Sequence, residues 1–251
     1  MLTTQRKQLI VQRLKEHGQI VAKDLSADLG LSEDTIRRDL RELAAEGLLQ
    51  RVHGGALPAS PAVAKFSIRK ELQTAGKTAI GAAAARMIQK GQVVAIDGGT
   101  TAVQLARQIP SHLSATVVTH SPSIALELVD HPNIQVVLIG GTLFKHSIVS
   151  VGASALEQIS RIRCDTYFLG VTGIHPTAGL TTGDFEEAAI KRALSAASAE
   201  TIAMVSAEKI GAASPYLVIP ISEIAGIITE KTVAAKAMQP YKKAGIQITL
   251  A

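Results

Sequence analysis

The sequence predicts an α/β protein in two unequal parts, a small N-terminal helical domain and a larger C-terminal domain built on a mostly parallel sheet. Three observations carry this expectation. From about residue 75 onward, near-continuous apolar runs alternate with helical patterns, as parallel strands covered on both faces do. Before residue 57 the chain is rich in Leu, Arg and Glu at helical spacing, which reads as short helices. Between the two, residues 57–65 hold Pro58 and Pro61 with little periodicity, the mark of a connecting segment. Domains are therefore expected over 1–56 and 75–251, joined by a linker over 57–74.

Composition limits what this chain can be. With 251 residues, 47% of them apolar, folding can bury about 70% of the unfolded chain's surface. Charged residues are 19%, too few for a disordered polyelectrolyte. No apolar run approaches a membrane span, and the start, Met1 to Lys7, leads into an amphipathic segment rather than an apolar signal core. A cytoplasmic protein without a membrane partner is expected. The single cysteine, Cys164, excludes an internal disulfide and any multi-cysteine metal site. Seven histidines show no His-Glu-x-x-His pairing, so neither a metal nor a cofactor is implied. Net charge is +5, which permits an anionic partner. Residues 1–56 carry nine Lys/Arg against eight Asp/Glu, so any nucleic-acid contact there must come from local placement. Aromatics are only 3%, with no Trp, which disfavours a base-stacking platform for RNA or single strands.

In the first 56 residues, Leu9, Ile10 and Leu14 start an amphipathic helix that should stop near Gly18. Val21, Leu25 and Leu29 repeat at four-residue spacing, and Gly30 follows as a stop. Ser32 can cap a third helix, with Asp34 near its positive end. Two helices joined by a tight Gly-containing turn match a helix-turn-helix. On the third helix, Ile36, Leu40, Leu43 and Gly47 fall within an arc of about 60°, while Arg37, Arg38 and Arg41 span about 100° on the opposite side. Guanidinium forks suit phosphates and the guanine edge, and a helix N-terminus adds phosphate donors. The plainer alternative is a solvated face whose arginines pair with Asp34, Asp39 and Glu42. Beyond Gly47, residues 48–56 look like a hairpin wing with Arg51 and His53 near its tip. The candidate DNA contacts are Ser32, Thr35, Ile36, Arg37, Arg38 and Arg41 on the helix, with Arg51, His53 and Gly54 on the wing.

Arg6, Ile10 and Leu14, the run from Ser32 through "TIRRDL" to Leu40, and Gly47 through "RVHGGA" to Ala56 closely resemble the N-terminal region of the DeoR family, bacterial transcriptional regulators of carbohydrate metabolism. The resemblance implies a winged helix-turn-helix that sets Thr35, Arg37, Arg38 and Arg41 in or beside the major groove of double-stranded operator DNA. It also implies a repressor, usually released by a phosphorylated sugar, and a homo-oligomer, dimer or tetramer. Two half-sites on one duplex face need two recognition helices in any case.

In the C-terminal part, strands are expected at 93–97, 116–119, 136–139, 166–170, 201–205, 227–229 and 246–250, with helices over 75–89, 101–109, 122–130 and 184–199. A strand ending in Asp97, Gly98, Gly99, Thr100 and Thr101 before a helix can turn backbone N–H groups and two hydroxyls toward a phosphate. It has neither a Walker pattern nor a three-glycine dinucleotide fingerprint, and an ordinary strand-to-helix turn would look the same. Gly140 and Gly141 close a second such strand end, and Gly170, Thr172 and Gly173 a third. Ligands of open parallel sheets sit beyond the strands' carboxyl ends, so the three ends together can floor one pocket. Asp184, Glu186, Glu187, Lys191 and Arg192 follow; Glu187 and Lys191 share a face and can serve a ligand or simply stabilise the helix. Lys209 follows the 201–205 strand and can reach the same crevice.

The blocks "AIDGGTT", "VVLIGGTLF", "VGASA", "FLGVTGI", "GLTTGDFEEAAIKRAL" and "EKIG" look like the family's C-terminal sensor domain, similar in fold to ribose-5-phosphate isomerases. The resemblance implies a phosphate loop at Gly99, Thr100 and Thr101 and a sugar site lined by Glu187, Lys191 and Lys209. The candidate effector residues are completed by Asp97, Gly98, His120, Gly141, Lys145, Gly170, Thr172 and Gly173. Two positions depart from the family's pattern: His120 stands where Asn is common, and Ser206 where Asp is usual. A changed ligand preference is expected from them. The rival reading is a sugar-phosphate isomerase-like enzyme with an accessory DNA-binding domain, since a carboxylate and a lysine in such a pocket can move a proton next to a carbonyl. An enzyme has no need of a basic recognition helix and wing, so a regulator without catalytic residues is the expectation.

Overall fold

The computed structural model describes residues 2–60 and 74–251; the expected linker's 61–73 lie outside the described residues. Helix α1 (Thr3–His17) ends where Gly18 turns left-handed at φ 73°. Strand β1 (Ile20–Val21) and helix α2 (Ala22–Leu29) follow. Gly30 breaks α2 at φ 63°, a conformation glycine adopts without steric cost. Helix α3 (Glu33–Ala45) is capped as expected, with Thr35 N–H donating to Ser32 Oγ at 3.2 Å. Strands β2 (Leu49–Val52) and β3 (Gly55–Pro58) form the wing hairpin, and β1 joins it antiparallel in the order β1-β3-β2.

Ile10, Leu14, Leu25, Ile36, Leu40 and Leu43 pack as one core in this unit. Two sequence expectations are corrected here. Val21 does not begin the second helix's apolar stripe; it lies in β1 and is exposed, because its neighbours Ile20 and Ala22 turn into the core instead. Leu57 and Pro58, assigned to the linker, belong to β3, where they pair with Gln50 and Leu49.

The larger part is built on a seven-stranded sheet in the order β15-β14-β12-β9-β4-β5-β6, every neighbouring pair parallel. Its strands are β4 (Val93–Ile96), β5 (Ala115–Thr119), β6 (Ile134–Leu138), β9 (Cys164–Gly170), β12 (Ser198–Met204), β14 (Gly226–Thr229) and β15 (Gln247–Leu250). All seven lie where apolar runs predicted them. Alternate residues feed two cores: Val94, Ile96 and Phe168 face one, Ala95, Tyr167 and Leu169 the other. Helices α4 (Thr74–Ala85), α5 (Thr100–Arg107) and α6 (Pro122–Glu127) cover the first face. Helices α7 (Ala153–Ser160), α8 (Phe185–Ala196) and α9 (Ala235–Lys243) cover the second.

Two small antiparallel sheets were not expected. Strands β7 (Thr142–Phe144) and β8 (Val149–Val151) form a hairpin. Strands β10 (Gly173–His175), β11 (Gly179–Thr182) and β13 (Tyr216–Ile219) form a three-stranded sheet. The chain runs outward from β4 through β5 to β6, then returns to β9 on the other flank of β4 and continues outward. The β4/β9 junction is therefore the point where strand order reverses, the place such sheets bind ligands.

Candidate functional site

The N-terminal unit presents its charge outward. Helix α3 is anchored by Ile36, Leu40 and Leu43, so its opposite face must point to solvent, and Arg37, Arg38 and Arg41 are all exposed there. Two of the carboxylates that could have neutralised this face are engaged elsewhere. Asp39 is fully buried and forms a two-pronged ion pair with Arg6 of α1, Arg6 Nη2 donating to Oδ1 at 3.0 Å and Nε to Oδ2. Glu42 turns to Lys7 at 3.0 Å. Among the described residues, Arg37 alone of the three arginines has a carboxylate, Glu33 at 2.7 Å. Of the solvated-face alternative's three partners, Asp34, Asp39 and Glu42, the last two pair with α1 instead, while the arginines are solvated as that alternative has them.

Thr35 is half-buried, its Oγ1 2.9 Å from Ser32 Oγ. Arg51 and His53 are exposed on the wing, and Gly54 supplies the left-handed turn at φ 75°. Ile36 is not a DNA contact. It has no exposed surface and belongs to the core, as its place on the apolar arc of α3 requires.

The C-terminal part holds its charge in the opposite way. Register sets Ile96 beside Phe168, which brings Asp97, just past β4, against Gly170 at the end of β9. Gly170 N–H donates to Asp97 Oδ2 at 2.8 Å. Lys191, reaching up from α8, donates Nζ to the same oxygen and to Gly170 O at 2.9 Å. Glu187, one turn earlier on α8, lies 3.5 Å from Lys191 and accepts from Thr182 Oγ1 at 2.8 Å. Asp184 caps that helix through Glu187 N–H at 2.8 Å.

His120, past β5, completes the cluster with Nε2 2.8 Å from Asp97 Oδ1 and Nδ1 3.0 Å from Ser150 O. Burial alone would raise the Asp97 pKa, but Lys191 and then His120 outweigh it and hold the carboxyl well below the usual range. Burial would likewise lower Lys191, yet Asp97 and then Glu187 keep its ammonium above its ordinary value. Tyr167, beneath them, is pushed up by burial and then by the Asp97 and Glu187 charges.

Several candidates take other positions than expected. His120 is fully buried with both ring nitrogens engaged, so it fixes Asp97 and the β7–β8 hairpin instead of lining open space. Lys145 is exposed in that hairpin's turn. Gly141 is a packing glycine: at φ 152° an added Cβ would lie 2.6 Å from Val151 O. Gly173 also serves packing, since a Cβ there would meet Ala212 O at 2.5 Å. Gly98 and Gly170 stand at the centre, where a Cβ would come within 2.2 Å of Val149 and 3.1 Å of Asp97.

Gly99, at φ 109°, opens α5, and Thr100 and Thr101 fill its first turn. Thr101 Oγ1 is buried and has no hydrogen-bond partner among the described residues. Lys209 is buried in the short turn after β12 (Ala207–Lys209), and Ser206 before it donates to Glu208 Oε1 at 2.6 Å. Gly140 and Gly141 lie past edge strand β6, with β5 between them and β4, so the three glycine-bearing ends do not share one floor. Residue patterns missed Thr182, Ser150 and the Arg6–Asp39 pair. Arg6 stood out only as part of the family-like N-terminal pattern.

Two family profiles match the chain: a DeoR-like helix-turn-helix domain over residues 6–61, and a DeoR C terminal sensor domain over residues 72–231. The HTH-type transcriptional regulator GlpR of Haloferax volcanii is 35% identical over 99% of this chain and 98% of its own length. The glycerol-3-phosphate regulon repressor of Escherichia coli K12 is 32% identical over the full length of both chains. Among solved structures, ribose 5-phosphate isomerase A of Methanocaldococcus jannaschii matches 53% of this chain and 52% of its own at 15% identity, with a TM-score of 0.40.

Proposed function

The chain belongs to the DeoR family of transcriptional regulators, and from that premise we propose that it represses a carbohydrate-metabolism operon and is controlled by a phosphorylated sugar or polyol. The carrying observation is the pair of exposed guanidiniums, Arg38 and Arg41, on a helix whose other face is locked into a core. Nothing in the described residues neutralises them, while phosphates and guanine edges would.

The effector class rests on the strand-order reversal. There α5 opens toward the sheet's carboxyl edge with Thr100 and Thr101 in its first turn, just past Asp97 and its partner Lys191, while Lys209 follows the carboxyl end of β12. Helix N-terminal amides and hydroxyls suit a phosphate, and Asp97 and Glu187 suit sugar hydroxyls. One relative's name points to glycerol 3-phosphate as the first compound to try. Control then works by linkage: a ligand that prefers the DNA-incompetent arrangement lowers operator affinity by that difference alone. The full-length relatives are named as regulators, which favours a regulator over the isomerase-like reading. Asp97 and Lys191 hold each other's charge, the carboxyl pKa lowered and the ammonium's raised.

Selection of fragmented genomic DNA on the full-length protein at fixed, near-physiological salt tests the reading, salt being fixed because phosphate contacts alone bind any sequence. A repeated motif beside carbohydrate genes is the expected result. Recovery without any shared motif would refute sequence-specific regulation.

A further inference from the structure

We propose that the few residues leaving the wing form a latch that couples the sensor's ligand site mechanically to the DNA-binding domain, an inference that builds on the function proposed above. Strand β3 does not run free at its end. Pro58 O accepts the Ala213 N–H at 3.2 Å, Ala59 bridges Ala213 in parallel, and the Ser60 hydroxyl donates to Thr172 O. Ser60 is 4% exposed. The DNA-binding unit is thus stitched to the sensor at two anchor points, neither on an arbitrary surface.

Both anchors belong to the rim of the candidate ligand site. Thr172 follows two residues after Gly170, whose N–H and carbonyl hold Asp97 and Lys191. Ala213 lies in the same loop as Lys209, and Ala212 N–H donates to Lys209 O at 3.3 Å. The anchors are tied to each other through Thr172 Oγ1 and Ser214 Oγ at 2.7 Å. The loop and β10 are packed without slack, since Gly173 has no room for a Cβ against Ala212. A ligand that draws Lys191, Asp97 or Lys209 to itself must disturb bonds that Gly170 and this loop now make.

The other end of the latch is equally short. Pro58 is the ladder partner of Leu49, and Ala56 that of Arg51, next to the turn that carries His53. From Ser60 back to Ala56 is four residues, about 13 Å of extended chain, so a displaced rim moves or releases the wing. Seated and unseated arrangements of residues 58–60 are the two states whose balance a ligand would shift.

Amide exchange reads the latch without any ligand, because the Ala213 N–H spends its hydrogen bond on a carbonyl of the DNA-binding unit. In the full chain that amide should be protected, and Ser60→Ala should speed its exchange at least tenfold while the Ile228 and Ala203 amides deep in the sheet keep theirs. Exchange of Ala213 at the rate of an open amide in the parent protein, or no change in Ser60→Ala, would overturn the latch.

A second arm joins the anchors covalently as Ala59→Cys/Ala213→Cys, bridge partners at the usual strand spacing of about 4.8 Å, within disulfide range. With glycerol 3-phosphate as probe, the oxidised protein should still bind it, yet operator affinity should change less than twofold, and reduction should restore the parent's response. A full response in the oxidised protein would also overturn the latch. Should the parent's operator affinity ignore every phosphorylated probe tried, the effector assignment fails and the amide measurement still decides the latch.

Discussion

The two functional regions keep their charges in opposite ways. Helix α3 leaves Arg38 and Arg41 in solvent and diverts Asp39 and Glu42 to α1. At the β4/β9 junction the charges of Asp97, Lys191 and Glu187 are buried and satisfied by one another. The first region is ready for an anion at no structural cost, since nothing must be broken to bind. Under the proposed function, the second would have to exchange partners when a ligand enters, and that exchange would let occupancy alter the surroundings. A surface that only recognises can stay exposed and simple; one that must report binding is built from bonds that binding disturbs.

The largest expected effect separates the regions by stability. Asp97→Asn leaves Lys191 and His120 without their shared carboxylate, and breaking a buried pair from one side costs about 3–5 kcal/mol. Denaturant melts should show that loss, whereas Arg38→Ala on the exposed face should stay within about 0.5 kcal/mol of the parent. Equal melts for both variants would erase the distinction between the regions.

The same carboxylate dictates a pH signature. Its pKa is depressed in the folded protein, so its stabilisation is complete above the unfolded value of about 3.9 and fades as pH falls below it. The stability gap between parent and Asp97→Asn should therefore hold from about pH 5 to neutrality and narrow below about pH 4. A gap that persists undiminished at pH 3 would mean that Asp97 is not held ionised by its neighbours.

On the exposed side, Arg38→Ala should weaken operator binding by about 1–3 kcal/mol if it reads a base edge, or lower the salt slope by about one unit if it meets a phosphate. Ligand-induced stabilisation of the sensor should be untouched in either case. Unchanged DNA affinity at every salt concentration would remove Arg38 from the interface. A smaller effect is expected from Thr100→Ala, which removes one hydroxyl at the start of α5, about 1 kcal/mol of ligand affinity. The dose of phosphorylated ligand needed should rise severalfold while basal DNA binding is preserved, and an unaltered dose–response would sink the phosphate-loop assignment.

Sequence patterns carried most of the architecture because its strands are long apolar runs and its first helices have clear stops at Gly18 and Gly30. They failed where elements are short or disguised. Strands β7, β8, β10 and β11 are three or four residues each, too brief for periodicity, and α9 contains Pro240, which ordinarily ends a helix. Asp97, Glu187 and Lys191 were visible as candidates from residue type and place. Their convergence was not, because it depends on the register of β4 against β9, which pairs residues 72 positions apart. The burial of His120 was hidden for the same reason, since its partners arrive from β4 and β8. Asp39 looked like one more charge on a solvated helix, and only the packing of α1 against α3 shows it buried.

Reciprocity supplies the most direct test of the central claim that one chain links a sugar-phosphate site to a DNA-reading helix. Affinity for glycerol 3-phosphate, or whichever phosphorylated ligand proves active, would be measured on the full-length protein with and without saturating operator duplex. Linkage requires operator to weaken ligand binding by the same factor by which ligand weakens operator binding, typically 5- to 150-fold, roughly. That matched factor is the predicted result. Ligand affinity indifferent to bound operator would contradict the account, however tightly each partner binds alone.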